Sequence, residues 1–325
     1  MSTQKSVQRI AIVGTGTIGA SWATHYLARG FDVVATDPGP GAEKALHAYV
    51  DAAWDTAAKL GLAPGASPER LSFTADMREA VADADFVQEN APERPEFKVK
   101  LFADIDDAAP DGAIIASSSS SIPMSVIQAG CQRPERTVIG HPFNPPHVIP
   151  LVEVVGGKKT AAKTIHDAMA FYASIGKKPI QLHKELPGHV ANRLQAALYR
   201  EVVYLIDQGV LDVAAADDAV SWGPGLRWGV MGPNLLWHLG GGEGGIEHFM
   251  DTLMDPMAGM WAALGNPQMT AELKQRIVDG VLAEADGRSI DELAADRDEM
   301  LLGLQAVRAG YEPAGRPLNA PRRAA

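Results

Sequence analysis

A histidine and a glutamate, His141 and Glu153, stand where the oxidation of a hydroxyl group would need them. Two short apolar runs, residues 137–140 and 151–155, predict buried strands, and the proline-rich stretch between them cannot be helical. One residue would therefore end a strand and the other would lie inside the next. A carboxylate in an apolar strand needs a partner, and a nearby imidazole is a suitable one. We interpret the pair as a general base with its orienting acid, against the alternative of a structural ion pair.

A run of serines follows another predicted strand. Residues 113–117 are mostly apolar, and they open into the polar run from Ser118 to Ser121. In a doubly wound sheet, ligands bind beyond the carboxyl ends of the parallel strands, which is where this run would lie. Its hydroxyl groups could hold a polar substrate, and the alternative is a flexible surface loop.

The glycines Gly14, Gly16 and Gly19 lie between a β-branched run and an amphipathic segment. In such a strand–turn–helix unit, the first glycine allows a tight turn and the second lets the backbone approach a pyrophosphate. The third lets helix and strand pack closely. Thr17 and Ile18 would open the helix, whose N-terminus favours negative charge. The pattern predicts a dinucleotide-binding turn.

An acidic residue, Asp37, ends the next predicted strand, residues 31–37. A carboxylate at this place accepts hydrogen bonds from ribose hydroxyls and repels a 2′-phosphate. The sequence therefore predicts NAD, in preference to NADP, as the cofactor.

The pattern of elements changes near Leu186. Before it, predicted strands alternate with helices, which indicates an α/β doubly wound sheet of the Rossmann type over residues 1–186. Residues 187–309 show helical periodicity with glycine and proline breaks, so we expect an all-helical domain. Residues 310–325 are rich in proline, glycine and alanine, and they predict a flexible tail. No HExxH or paired-cysteine spacing predicts a metal site.

Composition narrows the class of protein. The 325 residues are 46% apolar and 21% charged, as in a globular protein of about two domains. A net charge of −11 argues against nucleic acid or an anionic membrane surface as a partner. No apolar run predicts a membrane span, and the polar start does not resemble a secretory signal. The single cysteine, Cys131, suits a reducing compartment, so we expect a cytoplasmic protein in which this residue is a loop thiol rather than a nucleophile.

Taken together, these motifs resemble the 3-hydroxyacyl-CoA dehydrogenase family along nearly the whole chain. The resemblance is carried by GTGTIG, ENAPERPEFKVKLF, ASSSSS, GHPFNPPHVIPLVEV and GHVANRLQAAL. It implies an NAD-dependent enzyme whose helical domain usually makes a homodimer. It also implies site residues, which are the catalytic Ser120, His141, Glu153 and Asn192 and the cofactor-proximal Glu93, Lys98 and Asn144.

The C-terminal half resembles the branch of this family that holds L-carnitine dehydrogenase and lambda-crystallin, an L-gulonate 3-dehydrogenase. The segments PGLRWGVMGP and GRSIDELAADRDEML carry this resemblance. Substrates of this branch are free 3-hydroxy acids, and the arginine at the position of Arg227 is associated with substrate. The resemblance implies L-carnitine as the leading substrate, with L-gulonate and a 3-hydroxyacyl-CoA as alternatives.

Arg227 lies in a glycine- and proline-broken segment, residues 223–229, where we expect its side chain to point into a cleft. A guanidinium binds a carboxylate with two parallel hydrogen bonds, which a thioester cannot accept in the same way. Trp228 beside it could face a quaternary ammonium, and Phe143 is a further expected substrate contact. Packing between helices is the alternative for the tryptophans of this half.

An NAD-binding sensor or structural protein is the competing interpretation. The set of serine, histidine, glutamate and asparagine favours an enzyme, because a binding module needs no general base. We therefore expect reversible oxidation of the 3-hydroxyl of a small L-3-hydroxy acid.

Overall fold

The structure is a computed structural model, and it describes residues 7–311 of the chain. Two compact units divide between Asn192 and Arg193. The flexible tail predicted for residues 310–325 lies outside the described residues from position 312 onward. Its first residue, Gly310, is the last residue of a helix.

A single sheet forms the centre of the first unit. Its strands are β1 (Arg9–Val13), β2 (Asp32–Thr36), β3 (Leu71–Phe73), β4 (Phe86–Glu89), β5 (Ile114–Ser117), β6 (Thr137–Pro142), β7 (Leu151–Val155) and β8 (Lys178–Gln181). They lie in the order β3-β2-β1-β4-β5-β6-β7-β8. All neighbouring pairs are parallel except β6 and β7, which are antiparallel. The order reverses between β1 and β4, and ligands of doubly wound folds bind at such a reversal.

Helices cover both faces of this sheet. One face packs on α1 (Thr17–Ala28), α2 (Ala42–Lys59) and α6 (Ala162–Ser174), and the other packs on α3 (Met77–Val81), α4 (Pro95–Ala108) and α5 (Met124–Ile127). The first interface is rich in rings, among them Trp22, Tyr26, Phe86 and Tyr172. This three-layer arrangement confirms the predicted α/β class, because strands buried on both faces are apolar throughout.

The second unit is helical in its described part, which confirms the second half of the predicted fold class. Its helices are α7 (Ala191–Asp207), α8 (Val213–Ser221), α9 (Pro224–Trp228), α10 (Pro233–Gly240), α11 (Gly245–Thr252), α12 (Met254–Trp261), α13 (Ala271–Ala285) and α14 (Ile290–Gly310). The first of them begins just before the boundary. No helix within residues 7–311 is long and apolar enough to cross a bilayer.

Candidate active site

The predicted catalytic pair occupies facing positions on two antiparallel strands. His141 of β6 and Glu153 of β7 are partners in the register of this ladder, so both side chains lie on the same face of the sheet. Nδ1 of His141 is 3.0 Å from Oε2 of Glu153, and both side chains are buried. At Gly140, a Cβ atom would overlap the Tyr172 hydroxyl, so only glycine fits before the histidine. With Nδ1 on the carboxylate, Nε2 is the ring nitrogen that can exchange a proton with a substrate.

The second carboxylate oxygen of Glu153 is held by the start of α7. Oε1 accepts hydrogen bonds from the backbone N–H groups of Val190 and Ala191, at 2.9 and 3.0 Å. Burial raises the pKa of the Glu153 carboxyl, but the His141 bond and these two N–H groups outweigh burial and lower it. The carboxylate therefore stays ionised at neutral pH. The predicted Asn192 follows in the first turn of the helix and is half-buried.

The serine run lies at the carboxyl end of β5, and its donors converge on Glu93. The Ser120 N–H donates to Oε1 of Glu93 at 2.6 Å, and the Ser119 hydroxyl lies 2.9 and 3.0 Å from the two carboxylate oxygens. The Ser120 hydroxyl is 3.2 Å from the same carboxylate. Burial raises the pKa of Glu93, but Lys98 and the serine donors lower it below its ordinary value. Because one carboxylate accepts several of its donors, the serine run is hydrogen-bonded to the start of the segment that leads into α4.

Lys98 is buried beside two carboxylates. Its Nζ donates to Oε1 of Glu89 at 2.7 Å and to the Ala91 carbonyl at 2.9 Å, and Oε2 of Glu93 is 3.7 Å away. Glu89 is also buried, and it accepts the Ser117 hydroxyl at 2.5 Å. A buried ion pair is costly unless its remaining donors and acceptors are bonded, as they are here. The network holds the ends of β4 and β5 and the start of α4 in one arrangement.

The glycine-rich turn between β1 and α1 leaves room for the phosphates of a dinucleotide. Gly14 has a φ of +90°, and a Cβ there would strike the backbone that follows β4. A Cβ at Gly19 would overlap the Gly14 carbonyl, so helix and strand are in the predicted close contact. A Cβ at Gly16, by contrast, would meet nothing within 4 Å. This open side, where Thr17 and Ile18 begin α1, fits a pyrophosphate at a helix N-terminus.

Asp37 follows β2 and reaches back to the same turn. Its Oδ2 accepts the Thr15 N–H at 2.8 Å, and its Oδ1 accepts the Gly39 N–H at 2.8 Å. Each carboxylate oxygen has a second lone pair available for a ribose hydroxyl. β2 pairs with β1, the strand that leads into the glycine-rich turn. The Asp37 carboxylate therefore lies beside this turn.

We expect Asp37→Ala to reduce the preference for NAD. Loss of a charged acceptor should lower the NAD-to-NADP ratio of kcat/KM by about 10- to 100-fold. This factor corresponds to the free energy of a hydrogen bond to a charged group. Initial rates of reduction of both cofactors measure this ratio. Asp32→Ala, at the other end of the same strand, is the matched control and should leave it unchanged. Equal kcat/KM for the two cofactors in the unmodified protein would contradict the role of Asp37.

The segment between β6 and β7 carries the predicted residues Phe143 and Asn144. Phe143 is half-buried and Asn144 is exposed. Ser21 ties this segment to α1, since its hydroxyl accepts the His147 N–H at 2.9 Å and lies 2.8 Å from Nδ1 of the same residue. The helix that begins at the glycine-rich turn and the segment after His141 are therefore held together.

The predicted substrate residues Arg227 and Trp228 belong to the second unit, on the short helix α9. The sequence predicts a glycine- and proline-broken segment here, and within it Pro224–Trp228 form a short helix, because a proline at the first position suits the start of a helix. Both side chains are exposed. Trp237 stacks on Phe249 with ring centroids 4.9 Å apart, so the packing alternative holds for this ring. The other tryptophans of this unit are exposed, namely Trp222, Trp228 and Trp261.

The side-chain amide of Gln88 was not predicted from the sequence as part of the site. It is buried and is hydrogen-bonded to the residue before His141. Its oxygen accepts the hydroxyls of Tyr26 and Tyr172 at 3.2 and 2.7 Å. Its nitrogen donates to the Ser118 hydroxyl at 2.9 Å and to the Gly140 carbonyl at 3.4 Å. A glutamine inside an apolar strand was the available signal, because a buried amide needs partners for all its donors and acceptors.

Comparison with known proteins places this arrangement in a family. The sequence profile described as 3-hydroxyacyl-CoA dehydrogenase, NAD binding domain, matches residues 9–186. The profile described as 3-hydroxyacyl-CoA dehydrogenase, C-terminal domain, matches residues 188–279.

Individual relatives match nearly the whole chain. L-carnitine dehydrogenase of Streptomyces coelicolor is 48% identical over 92% of this chain and 94% of its own length. L-carnitine dehydrogenase of Bacillus cereus is 44% identical over 95% of both chains. The solved structure of 5-formyl-3-hydroxy-2-methylpyridine 4-carboxylic acid 5-dehydrogenase, an NAD+-dependent dismutase, has a TM-score of 0.81 and 33% identity, covering 94% of this chain and 100% of that one. The chain therefore belongs to the 3-hydroxyacyl-CoA dehydrogenase family, and it is an NAD-dependent dehydrogenase.

Proposed function

We propose that this protein oxidises the 3-hydroxyl of L-carnitine to the ketone, with NAD as the oxidant. The observation that carries the proposal is the similarity to enzymes named for that reaction. Relatives from Streptomyces coelicolor and Pseudomonas aeruginosa are 48% and 46% identical over 92% and 95% of this chain.

The chemistry of the substrate agrees with the residues that sequence analysis singles out. L-carnitine has a secondary hydroxyl, a carboxylate and a trimethylammonium group. Arg227 could bind the carboxylate with two hydrogen bonds, and the exposed ring of Trp228 could face the ammonium. Phe143, half-buried after β6, is a further proposed substrate contact. The structural relative is likewise named for a free carboxylic acid.

In the proposed mechanism, His141 is the general base. Its Nε2 takes the proton of the C3 hydroxyl as the C–O bond becomes a carbonyl. The Glu153 carboxylate, 3.0 Å from Nδ1, stabilises the imidazolium that results. Because that carboxylate is also fixed by two backbone N–H groups, it holds the ring in one orientation.

Ser120 and Asn192 are the proposed donors to the substrate oxygen. Both side chains are half-buried, and each lies next to a backbone segment that is held by hydrogen bonds. Donors placed before the reaction stabilise negative charge that develops on the oxygen.

The chain would hold NAD along the edge of the sheet at the carboxyl ends of its strands. Proposed contacts are Gly14, Gly16, Thr17, Ile18 and Gly19 for the phosphates, Asp37 for a ribose, and Glu93, Lys98 and Asn144 nearer the reacting end. Bound NAD would accept the hydride from C3.

A substrate comparison tests the proposal. NADH formation is measured with L-carnitine, L-gulonate, L-3-hydroxybutyrate and the CoA thioester of L-3-hydroxybutyrate, and D-carnitine serves as the matched stereochemical control. We expect the highest kcat/KM for L-carnitine and far slower turnover of D-carnitine. A higher kcat/KM for the thioester or for L-gulonate would contradict the assignment and would identify the substrate class instead.

We further propose a cytoplasmic homodimer. On α13, exposed Val278, Val281 and Leu282 share one helical face, and Met300 and Val307 are exposed on α14. A second copy could cover such apolar faces. Cys131 is the single cysteine of the sequence and has no disulfide partner, which suits a reducing compartment. Burial raises the pKa of its thiol to about 12, which makes it a poor nucleophile. A monomeric mass in sedimentation, or activity in the exported fraction of cells, would contradict these two statements.

A further inference from the structure

His189 lies in the turn that precedes α7, and hydrogen bonds link this turn to the serine run. The Gly188 N–H donates to the Ser120 carbonyl at 3.1 Å, and the His189 N–H donates to the Leu186 carbonyl at 3.1 Å. Gly188 and His189 both have positive φ, of 75° and 49°. A left-handed backbone is uncommon for a residue with a Cβ atom, and it persists where neighbouring contacts hold it. The contacts of the His189 side chain therefore show what holds this turn.

The His189 imidazole is buried, and only one of its nitrogens is bonded. Nε2 is 2.9 Å from the Ser119 carbonyl oxygen, which can only accept, so Nε2 carries the proton. Nδ1 is then an unprotonated acceptor, and it is buried with no partner among the described residues. Burial lowers the pKa of His189, the Ser119 bond opposes this effect, and His141 adds to the lowering, while Glu153 and Glu93 oppose it. The net shift is downward, so the ring is neutral at neutral pH.

The ring of His189 packs against the ring of His141. Their centroids are 5.0 Å apart, and the ring planes are tilted by 45°. A buried acceptor without a partner destabilises a fold, and so does a strained backbone. Two such costs at one residue, in contact with the proposed base, point to a role in the reaction.

We propose that His189 is a positioning residue, which aligns the serine run and the start of α7 with the ring of His141. Its Nε2–H fixes the Ser119 carbonyl, and with it the neighbouring Ser120. Its ring packs on the His141 ring, whose Nδ1 is held by Glu153, and so adds a second contact that fixes this ring. The inference rests on the catalytic roles proposed above for these residues.

Besides the side-chain contacts with Ser119 and His141, the backbone of His189 helps to position the donors that bind Glu153. The turn that it closes delivers the N–H groups of Val190 and Ala191 to Glu153, and Asn192 comes next in the chain. His189 therefore contacts the His141 ring directly, and it adjoins the segments that carry Ser120 and Asn192 and that bind Glu153. A change in its side chain should misplace donors and base together, and small displacements of reacting groups are costly in rate.

Three substitutions separate the contacts of the side chain. His189→Phe keeps a ring but removes the donor to Ser119, and His189→Gln places an amide nitrogen about where Nε2 lies. His189→Asn suits the left-handed backbone but is too short to reach the same carbonyl. We expect the Phe and Asn variants to lose kcat by about 10- to 100-fold with an unchanged dissociation constant for NAD, and the Gln variant to recover part of the loss.

His25 is the matched control. It is also buried, and its Nε2 is 3.0 Å from the Ile175 carbonyl, but its ring contacts are with Trp22 and Tyr26 instead of His141. His25→Phe and His25→Gln should lower the melting temperature and leave kcat of the folded protein unchanged.

The assays use whichever 3-hydroxy acid or thioester gives the fastest NADH formation with the unmodified protein, so an error in the proposed substrate does not affect them. Turnover in all three His189 variants equal to that of the unmodified protein would overturn the inference. Equal losses in the Gln and Asn variants would also overturn it, because the donor to Ser119 would then have no role. If the Phe variant does not fold, the comparison of Gln with Asn decides alone.

Discussion

Replacing His141 by alanine should lower kcat by about 10²- to 10⁴-fold, the contribution typical of a general base. The affinity for NAD should be unchanged, because the residue lies on β6, whereas the glycine-rich turn and Asp37 follow β1 and β2. Initial rates of NADH formation give kcat, and calorimetric titration gives the dissociation constant of NAD.

Glu153→Gln tests the same pair from the other side. The carboxylate accepts from His141 and from the Val190 and Ala191 N–H groups, so an amide nitrogen in its place would face a donor. We expect a loss of kcat of comparable size, about 10²- to 10⁴-fold, because the imidazolium loses its counter-charge and the ring its orientation.

A second histidine–acid pair provides the control for both substitutions. His166 lies 3.2 Å from the carboxylate of the adjacent Asp167, and its side chain is exposed on α6. His166→Ala should leave kcat and NAD binding unchanged. Near-normal turnover of either the His141 or the Glu153 variant would show instead that the buried pair is structural.

The second large effect is expected for Arg227→Met. Loss of a bidentate pair with the substrate carboxylate should raise KM for L-carnitine by about 10- to 100-fold, from the worth of hydrogen bonds between charged groups. Arg227→Lys should recover part of this loss, since it restores the charge without the planar fork. The KM of the substrate is measured at saturating NAD, together with the affinity for NAD, which should not change.

Arg288 of the same unit is the control for loss of charge alone. It is exposed and lies 3.5 Å from Asp296, so Arg288→Met should leave the KM of L-carnitine unchanged. If Arg227→Met is as harmless as Arg288→Met and the CoA thioester is the better substrate, the proposed free-acid specificity is wrong.

The parts of this protein that depend on short stretches of chain could be predicted from its sequence. The unit of β1, glycine turn and α1 is one of them, because each glycine has a local reason: a positive φ, an open side or a close helix contact. The strands that carry His141 and Glu153 are another. Their antiparallel register was not readable, however, because it depends on pairing across a proline-rich segment and not on the pattern within either strand.

Contacts that depend on the conformation of a turn could not be predicted from the sequence either. The role of His189 was not predicted, because its contacts with His141 and Ser119 depend on a left-handed backbone at Gly188 and at His189 itself, and a histidine rarely adopts that backbone. The helical periodicity over residues 187–309 also did not predict that α11 and α12 are separate helices. The break falls at Leu253, since Pro256 has no N–H to donate to the Thr252 carbonyl.

The amide of Gln88 has a consequence for how the enzyme responds to heat. It uses both lone pairs of its oxygen on the ring hydroxyls of α1 and α6, and both hydrogens of its nitrogen on the serine run and the strand of His141. One amide, with all its donors and acceptors hydrogen-bonded, thus links the aromatic core to the strand that carries His141. Warming cannot loosen the catalytic strands at this point without also breaking bonds to the aromatic core. Within the NAD-binding unit, the strands that carry His141 and Glu153 should therefore melt together with the aromatic core, as one cooperative event.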